Sequence, residues 1–196
     1  MAPRFVMIPA ETLIDHKRRA REAGIAARER GDPRAGLWLA GHVLERFAPP
    51  PGAVVAGYWP LGREIDPRPL MLALAGRGHA LALPVTRRRG TPLVFRRFRF
   101  GDALERGPLG TRHPRVEAEA LTPDWLLVPV VAFDATGVRI GHGAGYYDAT
   151  LTGLRARSRV VALGCGYAAQ RAARLPRAAH DQHLDAIATE HGVLLA

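Results

Sequence analysis

A glycine-rich segment near residue 140 carries the residue types best suited to chemistry. Residues 139–148 read Arg-Ile-Gly-His-Gly-Ala-Gly-Tyr-Tyr-Asp and follow an apolar run over 125–133. The three glycines let the backbone take positive φ angles, so that N–H groups can approach an anion without a Cβ in the way. Apolar residues at helical spacing after Tyr147 predict a helix that begins here, and its N-terminus favours negative charge. The segment predicts a phosphate-binding loop, with Arg139 adding positive charge at the rim.

Asp148 would stand beside the bound phosphates. A carboxylate among groups that otherwise attract anions suits a hard, oxygen-seeking cation such as Mg²⁺. The loop matches neither GxxxxGK[ST] nor GxGxxG, because its third glycine comes one residue early. Taken alone, it is also compatible with an ordinary glycine-rich turn between a strand and a helix.

Length and composition limit the classes of protein to which the chain can belong. Its 196 residues are 47% hydrophobic, which predicts one compact domain over residues 1–196. The apolar stretches are shorter than the ~20 residues that span a bilayer, and no secretory signal precedes them. We therefore expect a cytoplasmic protein with no membrane partner. Cys165 is the sole cysteine, lies between two glycines, and is interpreted as a packing residue.

The charge pattern is strongly basic but dispersed. The formal net charge is +10, yet the arginines follow no zinc-finger, RNA-recognition or helix-turn-helix pattern, so we expect no nucleic-acid partner. Lys17 is the only lysine. A single lysine in so arginine-rich a chain indicates that a compact ammonium group is required at this position. Its chance retention on a solvent-exposed helix surface explains it equally well.

The elements that must position these residues alternate between helix and strand. Helices are predicted over 12–30, where Lys17 and Arg21 share a face, from Asp32-Pro33 to Phe47, and through 70–74. Strands are predicted over these ranges: 53–59, 80–85, 93–98, 125–133, 159–163 and 187–195. A short leader precedes Thr12, and 101–123 is interpreted as a long irregular connection. The pattern predicts a three-layer α/β/α fold with an open, mostly parallel central sheet, Rossmann-like, and ligands beyond the carboxyl ends of its strands.

Four blocks of sequence, in order, carry a resemblance to a known family. They are Lys17-x-x-x-Arg21, Gly57-Tyr-Trp-Pro-x-x-x-Glu64-Ile-Asp-Pro, Pro129-x-x-Ala-Phe-Asp-x-x-Gly-x-Arg139-x-Gly-x-Gly-x-Gly-Tyr-Tyr-Asp148, and His180-Asp-x-x-Leu-Asp185-x-Ile-x-Thr-Glu190. Along nearly its whole length the chain resembles the 5-formyltetrahydrofolate cyclo-ligase family, also called 5,10-methenyltetrahydrofolate synthetases.

The resemblance implies an ATP- and Mg²⁺-dependent conversion of 5-formyltetrahydrofolate to 5,10-methenyltetrahydrofolate, with release of ADP and phosphate. An amide oxygen is a poor leaving group, and its phosphorylation lets N10 close the ring. No protein nucleophile is required, so catalysis would depend on positioning and charge neutralisation. The folate is expected with or without a polyglutamate tail, which Arg87–Arg89 or Arg96–Arg99 would contact, and we expect a monomer.

The resemblance also implies roles for individual residues. Asp148 and Asp185 would hold Mg²⁺, Glu64 would accept hydrogen bonds from the pterin, Trp59 would line that pocket, and Tyr146 and Tyr147 would lie where ATP and folate meet. The residues implied to bind ATP are Lys17, Arg21, Arg139, Gly141, His142, Gly143, Ala144, Gly145, Tyr146 and Tyr147.

The chain departs from the family pattern at three positions. The family usually has Arg, Lys or Tyr at His142, often Gly or Lys at Ala144, and commonly glutamate at His113. Two alternatives stay open: an ATP-dependent enzyme of the same fold acting on another pterin- or thiamine-like substrate, and a non-enzymatic module that binds nucleic acid or folate. Dependence on Glu64 would separate the folate enzyme from the first, and the salt dependence of nucleic-acid binding would identify the second.

Overall fold

A computed structural model gives the structure of the protein, of which residues 12–196 are described; the predicted leader before Thr12 lies outside the described residues. This part of the chain contains four α-helices and two short 3₁₀ turns, at Pro108–Gly110 and Ala168–Gln170. The helices are α1 (Leu13–Arg28), α2 (Ala35–Arg46), α3 (Arg68–Gly76) and α4 (Tyr146–Arg155). Thr12 caps α1 in a reciprocal capping box with Asp15, which satisfies N–H groups that the first turn leaves unpaired.

Eight of the strands form one central sheet. In chain order the strands are β1 (Val54–Ala56), β2 (Ala80–Val85), β3 (Val94–Phe98), β4 (Leu104–Arg106), β5 (Arg112–Pro114), β6 (Ala120–Leu121), β7 (Trp125–Pro129), β8 (Ala132–Phe133), β9 (Arg139–Ile140), β10 (Val161–Cys165), β11 (Ala186–Thr189) and β12 (Gly192–Leu195). The order across the sheet is β12-β11-β10-β7-β1-β2-β3-β6. The five strands from β11 to β2 are parallel, whereas β12, β3 and β6 pair antiparallel at the edges. The predicted mostly parallel α/β sheet is confirmed.

Successive residues of the central strands enter two separate hydrophobic clusters. In β7, Trp125 and Leu127 pack with α2 and α3, while Leu126 and Val128 pack on the face covered by Leu151 of α4. A strand whose two faces are both covered by helices has a continuous apolar sequence, because successive side chains alternate between the two buried faces. The run therefore reflects helices on both sides of the sheet.

Helix α1 lies beyond the carboxyl end of the sheet, against β8, β9 and the Ala168–Gln170 turn. A Cβ added at Gly24 would clash with the carbonyl oxygen of Val131, so only glycine permits this close approach. The approach places the N-terminal half of α1, with Lys17 and Arg21, over the glycine loop. Among the described residues, no helix is long and apolar enough to cross a membrane.

Several predicted elements differ in extent from those observed. The run 125–133 is two strands, since Val130 N–H donates to Cys165 while Val131 N–H donates to Ile140 O, so the chain changes partners there. The run 187–195 is also two strands, β11 and β12, joined by a tight turn at residues 190–191. The connection 101–123 contains the β4–β5 hairpin and β6. The strands predicted over 80–85 and 93–98 correspond to β2 and β3, which pair antiparallel.

Candidate active site

A cavity of about 490 Å³ opens beyond the carboxyl ends of the central strands. It lies between α1, the loop that joins β9 to α4, and residues 180–181. All ten residues predicted to bind ATP line it, together with Asp148 and Asp181. The fold thus brings together two segments more than 100 residues apart in sequence.

The glycine loop, residues 141–145, connects β9 to α4 and forms the floor of this cavity. Gly143 has φ 86° and Gly145 has φ 75°, in the left-handed region where side chains other than glycine are strained. Gly145 is the N-cap of α4, and no side chain caps the helix. The first N–H groups of α4 therefore have no side-chain acceptor, and the helix dipole makes this end attractive to anions.

Three cationic side chains surround the loop. Lys17 Nζ lies 2.5 Å from Asp181 Oδ2, and Arg21 Nε donates to Gly141 O at 2.8 Å. Arg139 was predicted at the rim, but its side chain is only 6% exposed and forms part of the cavity wall. Positive charge therefore reaches the loop both from α1 and from within the fold.

Asp181 is the counter-ion of Lys17. Burial raises the pKa of its carboxyl group, but hydrogen bonds from Lys17 and from Ala178 N–H, with the Lys17 charge, outweigh burial and hold the pKa below its ordinary value. Asp181 is thus ionised at neutral pH, and the ion pair positions the only lysine of the chain at the cavity.

Asp148 and Asp185, the two predicted metal ligands, have separate partners. Asp148 Oδ1 accepts hydrogen bonds from Arg139 at 2.7 Å and from Gln182 N–H at 3.0 Å, and this residue lines the cavity. Asp185 Oδ2 instead accepts from Arg155 and from Ala162 N–H, both at 2.7 Å, and it is not among the lining residues.

The two carboxylates therefore have different partners, and only Asp148 lines the cavity. Asp148 lies in the first turn of α4, whereas Arg155, the partner of Asp185, is the last residue of that helix. The described residues contain no group of three or more metal-ligating side chains. The metal-binding role of Asp185 stays a prediction, and it would require the ion pair with Arg155 to open.

Glu64 lies behind the glycine loop, and its side chain is 5% exposed. Its Oε2 accepts from Leu61 N–H at 2.9 Å, and its Oε1 lies 3.0 Å from His142 Nε2. Burial raises the pKa of the Tyr147 hydroxyl far above its ordinary value, and the charge of Glu64 adds to this. Since His142 lines the cavity and contacts Glu64, it joins the predicted ATP and folate regions.

Trp59 lies on the α2/α3 side of the sheet, where it packs against the main core. Its ring meets Phe98 edge to face at 6.1 Å, and the Arg68 guanidinium lies 4.9 Å from the ring centroid. Neither Trp59 nor Glu64 lines the 490 Å³ cavity. A folate site built on them would therefore adjoin this cavity at His142.

Sequence reasoning missed several residues that build the site. Gly24 permits the close approach of α1, and Asp181 forms an ion pair with Lys17. The carbonyl oxygen of Gln182 accepts a hydrogen bond from Arg139, and its N–H donates to Asp148. Arg89 donates to Gly143 O at 2.7 Å. Apart from the occurrence of Asp181 in a recognised block, no local signal indicates these roles, because each contact joins distant parts of the chain.

The chain is similar in sequence to the proteins of one known family. Residues 19–190 match the model of the 5-formyltetrahydrofolate cyclo-ligase family. A 5-formyltetrahydrofolate cyclo-ligase of Mycolicibacterium smegmatis is 32% identical over 174 residues, 83% of each chain. One from Escherichia coli is 29% identical over 140 residues, which cover 69% of this chain and 76% of that protein.

Solved structures agree with the fold. The NMR structure of Aquifex aeolicus 5,10-methenyltetrahydrofolate synthetase superposes with a TM-score of 0.74 and 29% identity, covering 91% of this chain and 92% of that one. A 5,10-methenyltetrahydrofolate synthetase from Mycoplasma pneumoniae shares the fold with a TM-score of 0.69, at 20% identity, over 89% of this chain and 98% of that one.

Proposed function

Because the chain belongs to the 5-formyltetrahydrofolate cyclo-ligase family, we propose that it cyclises 5-formyltetrahydrofolate to 5,10-methenyltetrahydrofolate at the expense of ATP, with Mg²⁺. The observation that carries the proposal is the cavity in which an uncapped helix N-terminus, a glycine loop and three cationic side chains meet beside Asp148. This combination suits a triphosphate bound with a divalent cation.

The proposed chemistry moves one phosphoryl group and closes one ring. The formyl oxygen takes the γ-phosphoryl group of ATP and ADP leaves. N10 then bonds to the formyl carbon and loses its proton, and the carbon–oxygen bond breaks with release of phosphate. The protein has to align the two substrates and neutralise charge, so the proposed reaction requires no covalent nucleophile. Cys165 is unsuited to that role, since burial raises the pKa of its thiol to about 12.

The triphosphate would bind to N–H groups of the glycine loop and of the first turn of α4. Lys17 and Arg21 from α1, with Arg139 below, would balance its charge. Lys17 and Arg139 each already pair with a carboxylate, so each cation would be shared between its carboxylate and the incoming phosphates. The existing pairs keep the cations oriented toward the cavity, which lowers the ordering cost of binding.

Asp148 fits the role of a Mg²⁺ ligand. Its hydrogen bonds to Arg139 and Gln182 both fall on Oδ1, so that Oδ2 is available to a cation within the described structure. Mg²⁺ is commonly held by one or two carboxylates together with substrate phosphates and water, so a larger cluster of acidic residues is not needed. When bound, the ion would withdraw electron density from the phosphate oxygens.

The pterin would meet Glu64, with Trp59 in the wall of its site. Glu64 is a buried acceptor, which suits recognition of the pterin N–H groups, since leaving such a group unpaired costs about 1–3 kcal/mol. To accept a hydrogen bond from the pterin, Glu64 Oε1 would give up its contact with His142 Nε2. Folate binding would thereby free the His142 side chain next to the glycine loop.

The proposal is tested by the rise of methenyl-folate absorbance on mixing the protein with 5-formyltetrahydrofolate, ATP and Mg²⁺. Controls omit ATP or metal, and Asp148→Asn and Asp185→Asn are compared. We expect a rise that requires ATP, metal and Asp148; the Mg²⁺ dependence of Asp185→Asn then decides whether this second carboxylate is also a ligand. Binding of ATP with no absorbance change would refute the folate assignment and favour another pterin- or thiamine-like substrate.

A further inference from the structure

The turn between β2 and β3 lies against the outside of the glycine loop. Arg89 donates from its guanidinium to Gly143 O at 2.7 Å, and Gly90 N–H donates to Ala144 O at 3.1 Å. The Tyr146 hydroxyl donates to the carbonyl oxygen of Arg87 at 2.9 Å. Three contacts from one turn thus reach consecutive parts of the loop and the start of α4.

These contacts determine the orientation of two peptide groups. In a planar trans peptide the carbonyl and the following N–H point in opposite directions. The carbonyl groups of Gly143 and Ala144 therefore face the β2–β3 turn, whose residues Arg89 and Gly90 do not line the cavity. The N–H groups of Ala144 and Gly145 then point away from the turn, on residues that do line the cavity, and neither donates to another described residue.

We propose that Arg89 is a positioning residue, which holds the glycine loop with these two N–H groups directed at the phosphates. The proposal rests on the proposed function of the loop as an ATP site and adds a role for a residue outside the cavity. Arg89 acts on the nucleotide through Gly143 and does not touch ATP.

A loop of this composition needs such a support. Gly143 and Gly145 have left-handed φ angles, and glycine has more conformations to lose than any other residue when it is fixed. Each contact from the β2–β3 turn removes some of that freedom before ATP arrives. Loss of the Arg89 contact would spread the N–H groups over several directions and weaken binding without removing any group that contacts the ligand.

The test compares Arg89→Ala, Arg89→Lys and the matched charge-loss control Arg77→Ala. Arg77 is exposed and follows α3, next to the amino end of β2 and away from the cavity. The first measurement is amide hydrogen exchange of residues 141–146 in the ligand-free protein. The second is the dissociation constant for ATP, with the KM for 5-formyltetrahydrofolate determined in parallel.

We expect Arg89→Ala to speed exchange in the loop and to weaken ATP binding about three- to tenfold, the range for losing one net hydrogen bond. The KM for the folate should stay unchanged. Lysine can still donate one hydrogen bond to Gly143 O, so Arg89→Lys should recover most of the affinity, and Arg77→Ala should match the wild type in both measurements.

Unchanged exchange with weaker ATP binding would overturn the proposal, because it would mean that Arg89 acts on the nucleotide directly. Wild-type affinity in Arg89→Ala would also overturn it. If the wild-type protein fails to bind ATP, the proposed function itself fails. The exchange measurement still reports whether Arg89 orders the loop, so the two failures are distinguishable.

Discussion

Replacing glycine by alanine at two positions of α4 should change stability in opposite directions. Gly145 is the N-cap and has φ 75°, whereas Gly153 lies within the helix. An added Cβ has its nearest neighbour 4.0 Å away at Gly145 and nothing within 4 Å at Gly153, so steric clashes do not complicate the comparison. The left-handed conformation costs an alanine about 1–2 kcal/mol, while alanine in a helix interior stabilises by about 0.5–1 kcal/mol over glycine.

Urea unfolding and thermal melting measure both effects. After allowance for the reduced freedom of the unfolded chain, we expect Gly145→Ala to lower the free energy of unfolding by about 1 kcal/mol and Gly153→Ala to raise it by about 0.5–1 kcal/mol. For a chain of this size the two variants should then differ in Tm by about 3–8 °C. ATP binding should weaken in Gly145→Ala only. Equal shifts in the two variants, or a Gly145→Ala protein as stable as the wild type, would refute the conformational argument.

Three further outcomes are expected. Glu64→Gln should raise the KM for 5-formyltetrahydrofolate about tenfold or more while ATP affinity stays within twofold, because it introduces a donor opposite the pterin donors; equal loss of both affinities would argue against the assignment. The folded-state pKa of Asp181 lies below its ordinary value of 3.8, so its ionisation stabilises the fold above that value and this contribution is lost as the pH falls through the folded pKa. Lys17→Met should therefore flatten the loss of stability as the pH falls below about 5 relative to wild type, as measured by urea titration; parallel curves would contradict the role of the ion pair. Cys165 is buried with a raised thiol pKa, so a thiol reagent at neutral pH should modify it only after unfolding, and rapid labelling of the native protein would show that the site opens.

The helices and the parallel core were predictable because their signals are local. The Thr12–Asp15 capping box, the apolar spacing of α2 and the continuous apolar run of β7 each lie within a few turns of chain. Strand breaks were harder to predict. The division of 125–133 depends on which distant strand accepts each N–H, and apolar composition carries no information about that partner.

The glycine loop, its positive charge and the carboxylate that follows it can be identified from the residues alone, since backbone freedom and side-chain chemistry are properties of each residue type. Which of these residues line the same cavity depends instead on the three-dimensional fold. Asp148 lines the cavity while Asp185 pairs with Arg155, although the family resemblance implied a metal-binding role for both aspartates. Arg89 reached Gly143 because a β-hairpin turn packs on the loop. Such assignments depend on how distant segments pack, and the packing follows from burying both faces of the sheet as a whole.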